Sequence, residues 1–301
     1  MQKINTKRIL TVITAMLCIV VFTVLMFIAR NPTLVSGNKN HIVFDYDDDF
    51  IKFIDVGQGD SALIYSDGYS AIIDMGIAPS SDSIIDTLND CEIDAVDMVV
   101  ISHYHTDHIG GFSEVANRFE IKNMIGPKVT EYNIEAAQKS KETVLSTGGK
   151  FYEALYGLNF KLGEFKITVL GYSAFGDEND RSVYVMAEID GIKFLFTGDG
   201  ELIAETELLK RAKDIDCDIL KVAHHGSKTS TNYDFLKATT PEYAVISVGK
   251  DNSYNHPHSE SITVLEKANA EIYRTDYHGD IIFYIDNGEI EIKTEKTGDY
   301  Y

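Results

Sequence analysis

Four short apolar runs in this chain end on residues able to bind a metal. The run 70–73 leads into Asp74, Met98–Ile101 into Ser102 and His103, Lys193–Phe196 into Thr197, Gly198 and Asp199, and Ile219–Ala223 into His224 and His225. Buried parallel strands deliver their carboxyl ends to one edge of a sheet, where ligand sites collect. The recurrence therefore predicts an α/β fold with one metal-capable edge. Two of the runs echo each other, "MVVISHYH" and "ILKVAHH", as two related halves serving one site would.

The rest of the chain fits that plan. Strand-like segments at 51–56 and 62–65 flank Gly57, Gln58 and Gly59 as a hairpin would. Further strands are expected at 165–170, 182–189, 244–248, 281–285 and 290–293, and helices at 81–88, 112–118, 135–145 and 203–212. No Pro/Gly-rich linker interrupts these segments, so residues 49–295 read as one domain. Cys91 and Cys217 sit in no dense cysteine framework and read as buried free thiols.

The second run opens the densest cluster, with His103, His105, Asp107 and His108 in six residues. In an extended segment His103 and His105 point the same way, while Asp107 and His108 follow a turn and can address a second ion. Imidazole with carboxylate suits zinc, manganese or iron. Two ions about 3.5–4 Å apart activate water and stabilise displacement at phosphorus or an acyl carbon. Gly110 and Gly111 read as letting the backbone crowd the ions and start a helix.

The N-terminus differs in kind. Ile9 to Ile28 contains no charged residue, and as a helix it would span about 30 Å, the hydrocarbon thickness of a bilayer. It is long for the apolar part of a cleaved signal, and Ala29-Arg30 is a poor cleavage site. Lys3, Lys7 and Arg8 precede the run and only Arg30 follows it closely. The expected order is a cytoplasmic tail (1–8), a single N-terminal transmembrane helix as anchor (9–28), a linker (29–48) and an extracytoplasmic domain (49–295). All 47 acidic residues lie beyond Arg30 in a chain of net charge −20. Such acidity disfavours nucleic acid and anionic membrane surfaces.

"HYHTDH" resembles the His-x-His-x-Asp-His signature of the metallo-β-lactamase superfamily. "DVGQGDSALI" (55–64), "IIDMG" (72–76), "FTGDG" (196–200), "KVAHHGSKTST" (221–231) and "NSYNHPHSES" (252–261) extend the likeness to the β-lactamase-like domain of ComEC-type DNA-uptake proteins. The resemblance implies an αβ/βα sandwich with one or two divalent ions, zinc or manganese, at one sheet edge. It implies His103 and His105 on the first ion, Asp107 and His108 on the second, Asp199 bridging, His224 completing the second site, and Asp74 supporting the cluster from behind. The superfamily's further histidine is missing between His108 and Asp199, where Asn179, Asp180 and Ser182 are the only candidates to serve the first ion.

Other residues have two readings each. Strand parity with Leu220 and Val222 favours His224 over His225 as the ligand, leaving His225 beside the reaction. Ser227 either caps a loop or meets substrate, and Asp60 either builds the hairpin turn or supports the site. His256 either sits on a surface loop or serves the leaving group. The expected function is a membrane-anchored, metal-dependent phosphodiesterase or nuclease linked to DNA uptake, acting on DNA or a small phosphoester. One alternative is a zinc hydrolase of carboxylic esters, lactones or β-lactams. The other is a non-catalytic metal-containing module that binds DNA or a protein.

Overall fold

The computed structural model describes residues 49–129, 134–212 and 214–297. The expected tail, anchor and linker all lie outside the described residues. Among those described, no helix is long and apolar enough to cross a membrane.

The apolar runs form strands. β1 (Asp49–Phe53), β2 (Ala62–Ser66) and β3 (Tyr69–Ile73) make an antiparallel meander. After a helix at Ser81–Asp90 come β4 (Ala95–Val96), β5 (Met98–Val100), β6 (Glu120–Ile121), β7 (Asn123–Gly126) and β8 (Lys150–Glu153). β5, β7 and β8 extend the meander as parallel strands, and β4 pairs only with β6. The second half repeats the plan. β9 (Asn159–Leu162), β10 (Phe165–Gly171), β11 (Tyr184–Ile189) and β12 (Ile192–Phe196) are antiparallel. β13 (Ile219–Lys221), β14 (Tyr243–Ile246) and β15 (Glu271–Arg274) then follow in parallel. The two echoing runs thus hold equivalent places, β5 and β13 each being the first parallel strand after a meander.

The chain finally returns to the first sheet with the hairpin of β16 (Ile281–Asp286) and β17 (Glu289–Thr294), and β16 pairs antiparallel with β1. The result is an eight-stranded and a seven-stranded sheet, both mixed. Alternate side chains meet between them. Ile51, Phe53, Ile73 and Val100 from one face pack with Val185, Phe194, Phe196 and Ile219 from the other. Ring pairs Phe53–Phe196 and Phe194–Phe283 bridge the sheets, each at 5.8 Å between centroids. The opposite face of the second sheet, with Leu195, Leu220 and Ala244, buries Leu208 and Phe235 of helices Leu202–Arg211 and Tyr233–Thr239. On the first sheet, Lys52 reaches Thr87 of helix Ser81–Asp90 at 3.0 Å. The layers are those of an αβ/βα sandwich.

Two expectations need correction. The strand expected over 219–223 stops at Lys221, because Ala223–Gly226 turn with His224 and His225 at φ +50° and +53°. Gly110 and Gly111 do lead into a helix, Phe112–Ala116, but what they crowd is neighbouring backbone. A Cβ on Gly111 would lie 2.4 Å from the Met75 carbonyl, and one on Gly110 would lie 2.9 Å from the Ala78 nitrogen. They let the histidine loop press on the turn after β3. Cys91 and Cys217 are both buried and free.

Candidate metal centre

The strand ends converge at one edge, and side chains from both halves meet there. Asp74, just past β3, is held at φ +61°. Its carboxylate accepts from the Ser102 amide (2.7 Å), from Ser102 Oγ (2.7 Å) and from His108 Nδ1 (2.9 Å). A carboxylate behind an imidazole fixes its tautomer, so His108 turns Nε2 forward. Past β5, His103 is fully buried and its Nδ1 lies 3.1 Å from Ser102 Oγ and 3.3 Å from Ser182 Oγ. Its Nε2 faces His105 Nδ1 at 2.9 Å. Asp107 and His108 stand in a short helix, Thr106–Ile109, rather than at a strand end.

Asp107, His108, Asp199 and His225 offer one donor atom each within 4.8 Å of one another. Asp199 Oδ1 lies 3.1 Å from His108 Nε2, and Asp199 Oδ2 lies 3.6 Å from His225 Nε2 and 4.0 Å from His103 Nε2. Asp107 Oδ2 is 3.4 Å from His225 Nε2. Yet His108 Nε2, His225 Nε2 and Asp199 Oδ1 are buried with no hydrogen-bond partner. Buried polar atoms are nearly always paired. Here ring nitrogens and carboxylate oxygens face a common space suited to a cation.

The titration behaviour fits. Burial alone would lower His225, but Asp199 and Asp60 outweigh it and push this imidazole up to about 10. Against the same opposing burial, Asp199 and Asp74 hold His108 well above the usual imidazole range. Burial would raise Asp199, and the histidines around it hold it well below the usual carboxylate range instead. In the metal-free protein, protons on these rings stand where a divalent ion would sit. The donor set, imidazole with carboxylate, suits zinc or manganese.

Strand parity does not extend to the histidine pair. His225, not His224, joins the four-donor cluster. Parity requires the strand to continue, whereas both histidines adopt left-handed backbone that ordinary residues enter only at a cost. His225 donates from Nδ1 to the Ser247 carbonyl (2.9 Å), with Asp60 Oδ1 3.2 Å away. His224 stays beside the cluster. Its Nδ1 pairs with Glu201 at 2.9 Å, and its Nε2 is 3.8 Å from Asp199.

The remaining candidates divide. Asp60 is buried beside His225, with Lys221 Nζ at 2.7 Å. Ser182 reaches the cluster, bonding the Asp199 amide at 3.0 Å as well as approaching His103. Asp180 does not, because its carboxylate accepts from the Ala204 amide at a helix start (3.1 Å). Asn179 keeps a buried, unpartnered Oδ1. Ser227 bonds Thr229 (2.8 Å), which donates to Glu201 (2.7 Å), so it belongs to the rim. His256 lies on that rim, its ring 5.4 Å from His224 and 6.3 Å from His225. Burial and the neighbouring His224 lower it to about 4, so it is neutral at neutral pH. Beside it opens a cavity of about 590 Å³, walled in part by Lys250, Arg274 and Lys296. These bases are far apart in sequence, and Arg274 and Lys296 pair with Asp276 and Asp55. Sequence reasoning passed over Ser102, Glu201 and Lys221. Only Lys221 left a signal, a charge inside an apolar strand.

A metallo-beta-lactamase superfamily profile matches residues 54–250, and the chain belongs to that superfamily. It is 29% identical over 259 residues to ComE operon protein 3 of Bacillus subtilis (strain 168), covering 79% of this chain and 33% of that protein. It is 28% identical over 255 residues to competence protein ComA of Neisseria gonorrhoeae, covering 82% of this chain and 34% of that protein. The chain thus spans about a third of the length of these relatives. Among solved structures, the metallo-beta-lactamase fold protein YhfI from Bacillus subtilis matches with a TM-score of 0.54 at 16% identity, over 79% of this chain and 100% of that one, a likeness of fold.

Proposed function

We propose that this protein is a divalent-metal-dependent phosphodiesterase, anchored in the membrane by residues 9–28, with its hydrolase domain outside the cytoplasm. The observation that carries the reading is the convergence of buried, unpartnered donors His108 Nε2, His225 Nε2 and Asp199 Oδ1, with Asp107 beside them. A divalent ion there supplies a Lewis acid and a readily deprotonated water. His103 and His105, facing each other across 2.9 Å, offer a second position. Asp199 lies against both imidazole sets and would join the two positions.

The chain's own residues supply the rest. Neutral His256 offers an N–H from the rim to the leaving-group oxygen. Lys250, exposed and without an ion pair among the described residues, would meet substrate phosphate where the cavity opens. Likeness to competence proteins favours DNA or an oligonucleotide as substrate. The acidic surface argues for weak binding that salt and divalent ions improve by screening. The charge-free N-terminal run and its flanking bases support the anchoring.

The test is cleavage of bis(p-nitrophenyl) phosphate and of labelled single-stranded DNA by the full chain in detergent, loaded with Mn²⁺ or Zn²⁺. Both substrates should be cut, and Asp107→Ala should abolish cutting while the fold persists, since Asp107 is only half-buried. A folded, loaded protein that spares phosphodiesters but opens a lactone or β-lactam would transfer the reading to acyl hydrolysis. Protease added to intact cells should digest the domain and spare a short N-terminal fragment. A domain that survives until lysis refutes the orientation.

A further inference from the structure

A second group of acids lies behind the donor cluster. Asp60, Asp74 and His108 each offer an atom within 4.8 Å of the others, all three buried, which by spacing alone is a further cation position. Its surroundings say otherwise. Both Asp74 oxygens are engaged by Ser102 and His108. The cation beside Asp60 is already present in the chain, because Lys221 Nζ lies 2.7 Å from Asp60 Oδ2, with side-chain exposures of only 4% and 6%.

Lys221 ends β13 and alternates with the outward-facing Leu220, so its side chain shares the inner face with Ile219. From there it crosses to the turn between β1 and β2. Its ammonium also donates to the Val222 carbonyl at 3.0 Å. Asp60 Oδ1, on the other side of the carboxylate, lies 3.2 Å from His225 Nδ1. The order Lys221, Asp60, His225 thus runs from the core of one half, through the turn of the other, to a donor atom of the centre.

We propose that Lys221 is a positioning residue of the metal centre: its ammonium fills the place of a third cation and fixes the Asp60 charge beside His225 Nδ1, where it works with the Ser247 carbonyl to keep Nε2 turned to the ion. The inference rests on the reading of His225 as a metal donor, and it makes the inner acid group a support rather than a binding site. A neutral side chain at 221 leaves Asp60 without its fixed partner. The carboxylate is then free to shift towards other donors, and His225 keeps the Ser247 carbonyl but loses the fixed negative charge beside Nδ1.

The test measures Mn²⁺ binding by the full chain in detergent, using the electron paramagnetic resonance of free and bound ion. Lys221→Met should weaken the ion held by His225 by about 10–100-fold, the usual effect of losing a partner behind a ligand. Adding Asp60→Asn to Lys221→Met should restore most of that affinity, because the Ser247 carbonyl still accepts from His225 Nδ1 and no buried charge is left unpaired. A merely structural lysine would lower the melting temperature of the metal-free protein and leave Mn²⁺ affinity native. Native affinity in Lys221→Met overturns the proposal, as does a loss that Asp60→Asn does not repair. Should Lys221→Met fail to fold, the double variant must fold and bind Mn²⁺ within about tenfold of the native protein, and weaker binding overturns the proposal. The readout is metal affinity, so inactivity towards phosphodiesters would leave it standing.

Discussion

Replacing each of the adjacent histidines by alanine separates two readings of the site. His225 is buried, and in the metal-free protein its protonated ring lies among Asp60, Asp107 and Asp199. Removing one partner of a buried ion pair costs about 3–5 kcal/mol. A domain of this size loses about 2–4 °C per kcal/mol, so metal-free His225→Ala should melt roughly 6–20 °C below native. His224 has a side chain 22% exposed and pairs with one similarly exposed carboxylate. Its loss should cost under about 1 kcal/mol, or about 4 °C at most. Metal sharpens the contrast. At an ion concentration about 100 times Kd, binding stabilises by about 2.7 kcal/mol, a rise of roughly 5–11 °C. If losing one donor weakens binding about 100-fold, the same concentration stabilises by only about 0.4 kcal/mol and the rise shrinks to about 1–2 °C. The assay is a pair of melts with and without Mn²⁺, backed by bound-metal analysis. If His224→Ala loses the metal-induced rise while His225→Ala keeps it, the placement of these rings is wrong and the strand-parity reading returns.

Metal affinity should fall as pH drops, by up to about tenfold per unit for each proton displaced, because His108 and His225 hold raised pKa values in the metal-free protein; Mn²⁺ titrations at pH 6, 7 and 8 measure the slope. The sign for stability follows the same shift: the His225 contribution is full below its unfolded value of about 6.5 and fades as pH rises towards about 10, so metal-free melts should fall over that range. Gly59→Ala should cut Mn²⁺ binding, since a Cβ there would lie 2.5 Å from the Asp107 carbonyl, and native binding in titration would show that this turn does not place Asp107. His256→Gln should slow phosphodiester cleavage roughly tenfold, the value of one hydrogen bond of about 1–1.5 kcal/mol. Because His256 is already neutral above about pH 4, the substitution should remove no limb from the pH–rate profile between 5 and 8.

Much of this site could be read from residues alone, for a physical reason. Strands β3, β5 and β12 are short and wholly apolar at their ends, so the polar residue following each is conspicuous and its place at the sheet edge follows from parallel packing. The same logic failed at β13, where two left-handed residues break the alternation that parity assumes. Backbone of that kind leaves no pattern in hydropathy. β8 was missed because it is largely exposed, with little alternation to detect. Asp180 was overvalued for its chemistry, since a carboxylate near a ligand gap serves equally well at a helix start. The basic side chains at 250, 274 and 296 form no run in the sequence and come together only when β15 and the chain's last hairpin are in place.

That hairpin also governs when the domain can form. β1 has two neighbours in the first sheet, β2 from the adjacent segment and β16 from near the end of the chain. Phe283 in β16 supplies the ring that meets both Phe53 and Phe194. Until the ribosome has released β16, β1 pairs only with β2 and the inter-sheet core lacks that ring. Such distant pairing folds slowly, because the loop entropy is lost before the contact is gained. Earlier still, before Asp199 and His225 have emerged, the first half carries its histidine cluster without them, and the nascent chain passes through a stage with an incomplete ligand set. A truncation removing only β16 and β17, far in sequence from every candidate ligand, should therefore yield a chain that neither folds cooperatively nor retains metal.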